Sequence, residues 1–356
     1  MPEPATSRDS RRDERIDFLR GLALIVITLD HIYGNWLTMV MPISLGLSDM
    51  AEVFVFLSGI VGGWSFARRS TRDGPWSATL HFWGRAIQLY LVYVVAGFLV
   101  LLLIRWTGTS QQLTLHRDTA ILLPLDELLL RVAMLRQHVG HLSILPLYCC
   151  CLSCVPLWMW LRRRTQSVVP PTLLALALYL TAQWSVTSLP LPALVEAAIY
   201  YRPVPWMSLF LLGMVCGQLT PQRFAHPAWW GIALVIQATM LCWKLMDAPA
   251  LALLLGKPNL GLGRMLHFLS LALLVSRLLP RQSHWYLSFI RGCGRRSLRT
   301  YLAGALAAVL ISSLFTRGET SSLVQILGNG LAIAICLIVG NCSGVPASSE
   351  SSSDVA

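Results

Sequence analysis

Apolar runs and short polar connections alternate along the whole chain. The runs fall at about 17–37, 48–66, 82–104, 141–161, 172–189, 203–219, 228–246, 264–279, 298–316 and 322–340. Most approach the ~20 residues a helix needs to cross a hydrocarbon core of about 30 Å. The pattern therefore predicts an all-α protein, a polytopic transmembrane helical bundle of about ten spans. The sixth and eighth runs are short, and Pro203, Pro205, Gly261 and Gly263 beside them predict broken or tilted entries, which membranes tolerate where they line a cavity. The third connection is long, and Thr119–Gln137 within it carries leucines at helical spacing with Asp126, Glu127, Arg131 and Arg136. That spacing predicts a surface helix lying in the outer interface. No internal repeat is evident, so the inverted-repeat signature of many transporters is missing.

The termini differ from the runs between them. Residues 1–16 form a basic tail, 17–340 the transmembrane domain, and 341–356 a small, polar tail expected to be disordered. The apolar run after the arginine-rich start is too long for a signal peptide and has no small-residue cleavage site, so it reads as an uncleaved first span.

Composition agrees with a membrane class. Hydrophobic residues make up 55% of the chain and charged ones 13%, where a soluble domain would carry about 25% charge; the mean hydropathy is +0.61. The net charge of +11 is not a nucleic-acid face, because the arginines sit in short clusters between apolar runs. Arg8, Arg11, Arg12 and Arg15 precede the first run, and Arg68, Arg69 and Arg72 follow the second. Arg162, Arg163 and Arg164 follow the fourth, Arg223 the sixth, and Arg281, Arg291, Arg295 and Arg296 the eighth. The intervening connections are poorer, with Arg202, Lys257 and Arg317 one apiece. Only the long third connection is an exception. Counting arginines thus predicts that both termini are cytoplasmic. Nine cysteines lie mostly inside apolar runs, where free cysteine behaves as a small hydrophobe. Neither a disulfide framework nor a metal site is expected.

The candidate chemistry starts in the first run, Asp17-Phe-Leu-Arg20-Gly-Leu-Ala-Leu-Ile-Val-Ile-Thr28-Leu-Asp30-His31. Ionisable groups inside a span cost about 2.5–3.5 kcal/mol each at the helix centre and are functional candidates by default. Eleven residues of helix bring His31 to within about 20° of the face of Arg20, about 16 Å along the axis. Thr28 falls on the same stripe. A charged ligand at the arginine and chemistry at the histidine fit that arrangement. Asp49 and Glu52 enter the second run at nearly the depth of His31, and an imidazole facing a carboxylate can accept a proton and stabilise the resulting cation. Asp30 adjoins His31 and cannot face the same way on a helix, so Glu52 or Asp49 is the expected orienting acid. Ser58, Gly59, Gly62 and Gly63 follow, with close helix packing as their first explanation. A purely structural polar cluster remains the alternative to a reacting one.

Several of these segments resemble one family. Asp17-Phe-Leu-Arg-Gly-Leu-Ala-Leu, Asp30-His31-Ile, Asp49-Met-Ala-Glu-Val-Phe-Val-Phe-Leu-Ser-Gly59 and Ile144-Leu-Pro-Leu-Tyr148 resemble the OpgC family, named for the succinyltransferase of osmoregulated periplasmic glucans. Tyr201-Arg-Pro-Val-Pro-Trp206, Leu212-Gly213, Gly256-Lys257-Pro-Asn259-Leu-Gly261 and Arg264-Met-Leu-His267-Phe268-Leu are similar to its later motifs. The arginine, ten residues, then histidine arrangement also looks like the wider membrane acyltransferase superfamily. Ser143, Gly256 and Arg296 depart from the pattern, where an aspartate, an acid and a histidine are expected.

The resemblance implies an O-acyltransferase of the bacterial inner membrane. Its donor would be cytosolic acyl-CoA (succinyl-CoA or acetyl-CoA), with no bound cofactor, and its acceptor a periplasmic glucan. In that reading Arg20 and Arg85, with Arg68, Arg69 and Arg299, are candidates for the donor phosphates, since a guanidinium binds phosphate bidentately. His31 is the general base or the acyl carrier. Ser58, Trp206, Lys257, Asn259 and His267 are candidates for lining the acceptor mouth or the cavity, although interfacial belts explain most tryptophans. A transporter or flippase of a glycan or lipid-linked intermediate, and a non-catalytic membrane subunit, are the competing readings. The sequence is silent on oligomeric state.

Overall fold

The computed structural model describes residues 13–45, 47–107, 123–136, 139–188, 201–219, 226–246, 254–278, 287–315 and 321–342. Arg8, Arg11, Arg12, Arg117, Arg223, Arg281, Arg317 and the tail from 343 onward lie outside them. Among the described residues all regular structure is helical.

Helix α1 (Glu14–Asp30) begins where the Asp13 carboxylate accepts from the Arg15 N–H, and it ends at Asp30 with His31 as its C-cap. The apolar run continues to 37, but the helix does not. Gly34 takes a left-handed φ of 75° and Asn35 caps a 3-10 turn at Trp36–Val40, so the chain doubles back. The turn is held because Asn35 exchanges amide hydrogen bonds with Asn329 at 2.8 and 2.9 Å. Helix α2 (Met50–Asp73) starts at a capping box: Asp49 accepts from the Ala51 N–H while Glu52 reaches back to the Asp49 N–H. Two orphan donors are thereby satisfied reciprocally.

Helix α3 (Pro75–Thr107) follows at once. Leu80, Ile87, Leu91, Val95 and Leu99 form an exposed apolar stripe along it, the face a bilayer would cover. Helix α4 (Leu125–Ala133) falls inside the predicted surface helix but is shorter; residues 119–122 are not described. It buries Leu128 and Val132 and turns the Glu127–Arg131 ion pair outward. The Tyr90 hydroxyl ties it to α3 by donating to the Ala133 carbonyl at 2.5 Å.

Helices α5 (Ile144–Thr165), α6 (Val169–Ser188), α7 (Pro203–Cys216), α8 (Pro227–Leu245) and α9 (Leu262–Leu278) complete one side of the bundle. Helices α10 (Ser288–Arg295), α11 (Ser297–Phe315) and α12 (Ser322–Asn341) complete the other. Every predicted apolar run overlaps a helix. Six of them, α2, α3, α5, α8, α11 and α12, are long and apolar enough to cross a membrane, and α7 is a shorter apolar helix.

Close backbone approach sets two crossings. A Cβ on Gly59 would collide with the Phe210 carbonyl, and one on Gly213 with the Phe56 carbonyl, so α2 and α7 cross at bare backbone. Likewise a Cβ on Gly21 would meet the Ile290 carbonyl and one on Gly294 the Asp17 carbonyl, which brings α1 against α10. The main core is built on α2, α5, α7 and their neighbours, and a smaller one fills the space between α1, α10, α11 and α12. All nine cysteines are unpaired.

Candidate active site

The last four carbonyls of a helix have no partner within it, and α1 uses one of them. Ending at Asp30, it leaves the Ile27 carbonyl to His31, whose Nδ1 lies 2.6 Å away. A carbonyl oxygen can only accept, so Nδ1 carries the proton and Nε2 is the basic nitrogen of the neutral ring. The orienting group of His31 is therefore a backbone carbonyl. Thr28, expected on the same stripe, turns elsewhere: its hydroxyl donates to the Leu24 carbonyl and packs against Gly304 and Cys336.

Glu52 and Asp49 are engaged with cations instead. The Glu52 carboxylate accepts from the Asp49 N–H at 2.9 Å and from Arg264 Nε. Asp49 Oδ2 lies 3.0 Å from Arg264 Nη2 and 2.6 Å from Lys257 Nζ. Two carboxylates and two cations thus form one nearly buried cluster; Asp49, Glu52 and Arg264 are at most 5% exposed. Breaking such a pair leaves an uncompensated charge, which costs about 3–5 kcal/mol. Burial works against the Lys257 ammonium, but Tyr201, Asp49 and Glu52 around it outweigh that and hold its pKa above the ordinary value. The sequence pointed to Glu52 or Asp49 as the orienting acid of His31 because depth alone was legible. Glu52 instead takes Arg264, which stands on α9, 212 residues away, and whose signal was an arginine at the start of an apolar run.

The other candidates divide between lining and bracing. His267 Nδ1 lies 2.7 Å from the Ser48 hydroxyl and so helps fix the residue before Asp49. Trp206 is wholly buried, and its indole N–H donates to the Lys257 and Pro258 carbonyls, both at 3.2 Å. Gln183 donates to the Asn259 carbonyl and Tyr179 to that of Leu260, each at 2.8 Å. The Lys257–Leu260 loop, whose Leu260 takes a left-handed φ of 46°, is clamped from α6 and α7. Trp206 braces this loop, and Lys257 is the residue the loop presents.

Two cavities meet along α1. The larger, about 250 Å3, is lined by Arg20, Ser58, His81, Arg85, Tyr148 and Ser297 among others. Arg20 donates to the Ser297 hydroxyl at 2.9 Å, and its guanidinium stands 5.5 Å from the centre of the Phe54 ring. Arg85, more exposed, donates to Gln88 at 2.7 Å. The smaller cavity, about 20 Å3, holds His31 with Asp30, Asp49, Tyr201 and Lys257; Asp30 shares it with His31, contrary to the helical expectation, because α1 ends at Asp30 and His31 leaves the helical register. This cavity has room for about one water molecule. Phe54, Ile144 and Tyr301 line both. Tyr201, Tyr301, Ile144 and Phe54 were not singled out as site residues from the sequence, since apolar and aromatic positions carry no mark separating wall from core; His81, just before the third apolar run, was not singled out either.

This arrangement sets a cation at one end of a helix and a base with a defined tautomer at the other, in separate but abutting chambers. A search of curated proteins and one of solved structures each gave no match. The profile of the family described as OpgC protein matches residues 12–345, nearly the whole chain, so the chain belongs to the OpgC protein family.

Proposed function

We propose that this membrane protein is an O-acyltransferase that moves an acyl group, succinyl by family likeness, from cytosolic acyl-CoA to a hydroxyl of a periplasmic glucan. OpgC membership supports a membrane acyltransferase-type function. The observation that carries the finer reading is the pair of cavities joined at Phe54, Ile144 and Tyr301, with Arg20 in one and His31 in the other. In this reading the chain crosses the inner membrane ten times with both termini cytoplasmic, and the Arg20 end faces the cytosol.

The larger cavity is below the ~300–1,000 Å3 of sites that enclose a drug-sized ligand. It suits the pantetheine arm, leaving the nucleotide at the mouth with its phosphates between Arg85 and Arg20, which line the same cavity. Arg20 offers a planar fork to an anionic group. His31 Nε2 takes the proton of the acceptor hydroxyl as its oxygen attacks the thioester carbonyl. The carbon–sulfur bond then breaks, and the leaving thiolate receives that proton from the imidazolium. General-base help of this kind typically contributes 10²–10⁴-fold. Asp49 and Asp30, in the same cavity, stabilise the imidazolium while it lasts. A route through acyl-His31 uses the same nitrogen, and a covalently acylated protein trapped without acceptor would distinguish it.

The test is purified protein with succinyl-CoA or acetyl-CoA and a β-glucan. Free thiol and acylated glucan should appear together. Movement of a glycan across vesicles without thioester consumption would instead make the protein a transporter.

A further inference from the structure

The small cavity cannot receive even an acetyl thioester at about 20 Å3, roughly one water. In the acyltransferase reading, the wall between the chambers therefore moves in each catalytic cycle. Its three residues come from different elements: Phe54 from α2, Ile144 from the start of α5 and Tyr301 from α11. They are not equivalent. The Phe54 backbone is fixed, because its carbonyl accepts from the Tyr148 hydroxyl at 3.0 Å. Its ring lies under the Arg20 guanidinium at 5.5 Å, a cation–π distance. Arg20 also donates to Ser297, one turn before Tyr301 on α11. One cation in the larger chamber thus braces two of the three wall elements.

We propose that the Phe54 ring is the shutter between the two chambers, held shut by Arg20 and released when an anionic nucleotide group of the donor engages that guanidinium. This rests on the acyltransferase reading and adds to it a positioning role for Phe54. An anion binds a guanidinium through charge-assisted hydrogen bonds, stronger than a contact with a ring face, so it draws the cation away from Phe54 and Ser297. The ring then turns about its side-chain bonds while its backbone stays in place. Thioesters are kept from His31, and from the water its chamber can hold, until a donor is seated, which limits idle hydrolysis. The shutter also sets the width through which an acyl group passes.

The experiment reads access to the small chamber without reading activity. Ala51 lines that chamber; an Ala51→Cys protein in sealed vesicles is treated with a membrane-impermeant thiosulfonate on the face bearing Arg20, and modification of that peptide is timed by mass spectrometry. A passage open in only a minor population of about 10% or less gains roughly tenfold in accessibility when its blocking side chain is removed. Labelling should therefore rise by about that factor in Phe54→Ala, and by less in Phe54→Leu, which fills the core but offers no ring to the cation. Adenosine 3′,5′-bisphosphate, an anionic nucleotide without a thiol, should accelerate labelling when Phe54 is present and lose that effect in Arg20→Ala. Should Phe54→Ala fail to fold, the Leu variant decides alone. Unchanged labelling in the folded Phe54 variants overturns the shutter, and no response to the nucleotide overturns its link to the donor. Thioester consumption by the parent protein is measured in parallel. Its absence would end the acyltransferase reading while leaving the labelling result to be judged by itself.

Discussion

His31 is oriented by its own helix, and that decides what its neighbours do. With Nδ1 committed to the Ile27 carbonyl, His31→Ala should abolish acyl transfer while donor binding persists. Acylated glucan per folded protein at saturating donor is the measurement, and wild-type-like transfer would return the histidine to a structural role. Glu52→Gln should act differently, because its carboxylate serves Arg264 and the α2 N-terminus. A loss of stability of about 3–5 kcal/mol is expected from the broken buried pair, with slower transfer as a consequence and to a lesser degree than in His31→Ala. Thermal unfolding in detergent measures it. Glu52→Leu combined with Arg264→Leu should recover part of that loss, since replacing both partners of a buried pair leaves no unpaired charge. Arg20→Ala should raise the donor Kd more than it lowers turnover of bound donor. Arg20→Lys should recover only part, because one ammonium cannot reproduce a fork. Normal donor binding by both would remove Arg20 from the phosphate role.

At the level of helices, the site depends on how closely α1 and α2 approach their partners. Gly21 lets α1 meet α10 backbone to backbone, and Gly59 does the same for α2 and α7. Overpacking of this kind costs about 1–3 kcal/mol or more, and here the obstructing atoms are carbonyls with little room to yield. Gly59→Val should therefore lower the unfolding temperature and broaden the size-exclusion peak. Gly84, with nothing within 4 Å of an added Cβ, should accept alanine with no such change. Equal behaviour of the two variants would refute the crossing as the cause. The sequence disclosed the small residues of α2 and packing as their first explanation. It did not disclose which helix they meet, because spacing carries no information about a partner 150 residues away. The early end of α1 was likewise hidden. Residues 31–37 still read as part of the apolar run despite His31 and Asn35, and Gly34 together with the distant Asn329, which holds Asn35, turns the chain there.

For the whole molecule, the alternation of arginine clusters with charge-poor connections predicts where each end lies. A C-terminal reporter active only in the periplasm should stay silent, and activity there would reverse the assignment. The described helices fit a bilayer in a graded way. Helix α3 exposes an apolar stripe and α8 is mostly exposed, whereas α2 and α11 are largely buried among their neighbours. Outer helices thus shield inner ones, and α1, α9 and α10 sit where protein can satisfy charges such as Arg20, Arg264 and Arg291. This is the arrangement expected when ionisable groups must face a bundle interior.

Hydropathy alone determined that the chain is helical and membrane-class, because a run of about 20 apolar residues has few other ways to satisfy its backbone in lipid. Local chemistry added Arg20 and His31 as a pair on one helix, since period and spacing are properties of the segment itself. Tertiary structure decided the rest. It gave Glu52 and Asp49 to Arg264 and Lys257, made Trp206 and His267 braces for the loop and the α2 N-terminus, and set Phe54, Ile144 and Tyr301 as one wall between two cavities. The physical reason is range. A helix fixes neighbours three and four residues away, but a buried charge is satisfied by whichever opposite charge the packing of distant helices brings within about 3 Å.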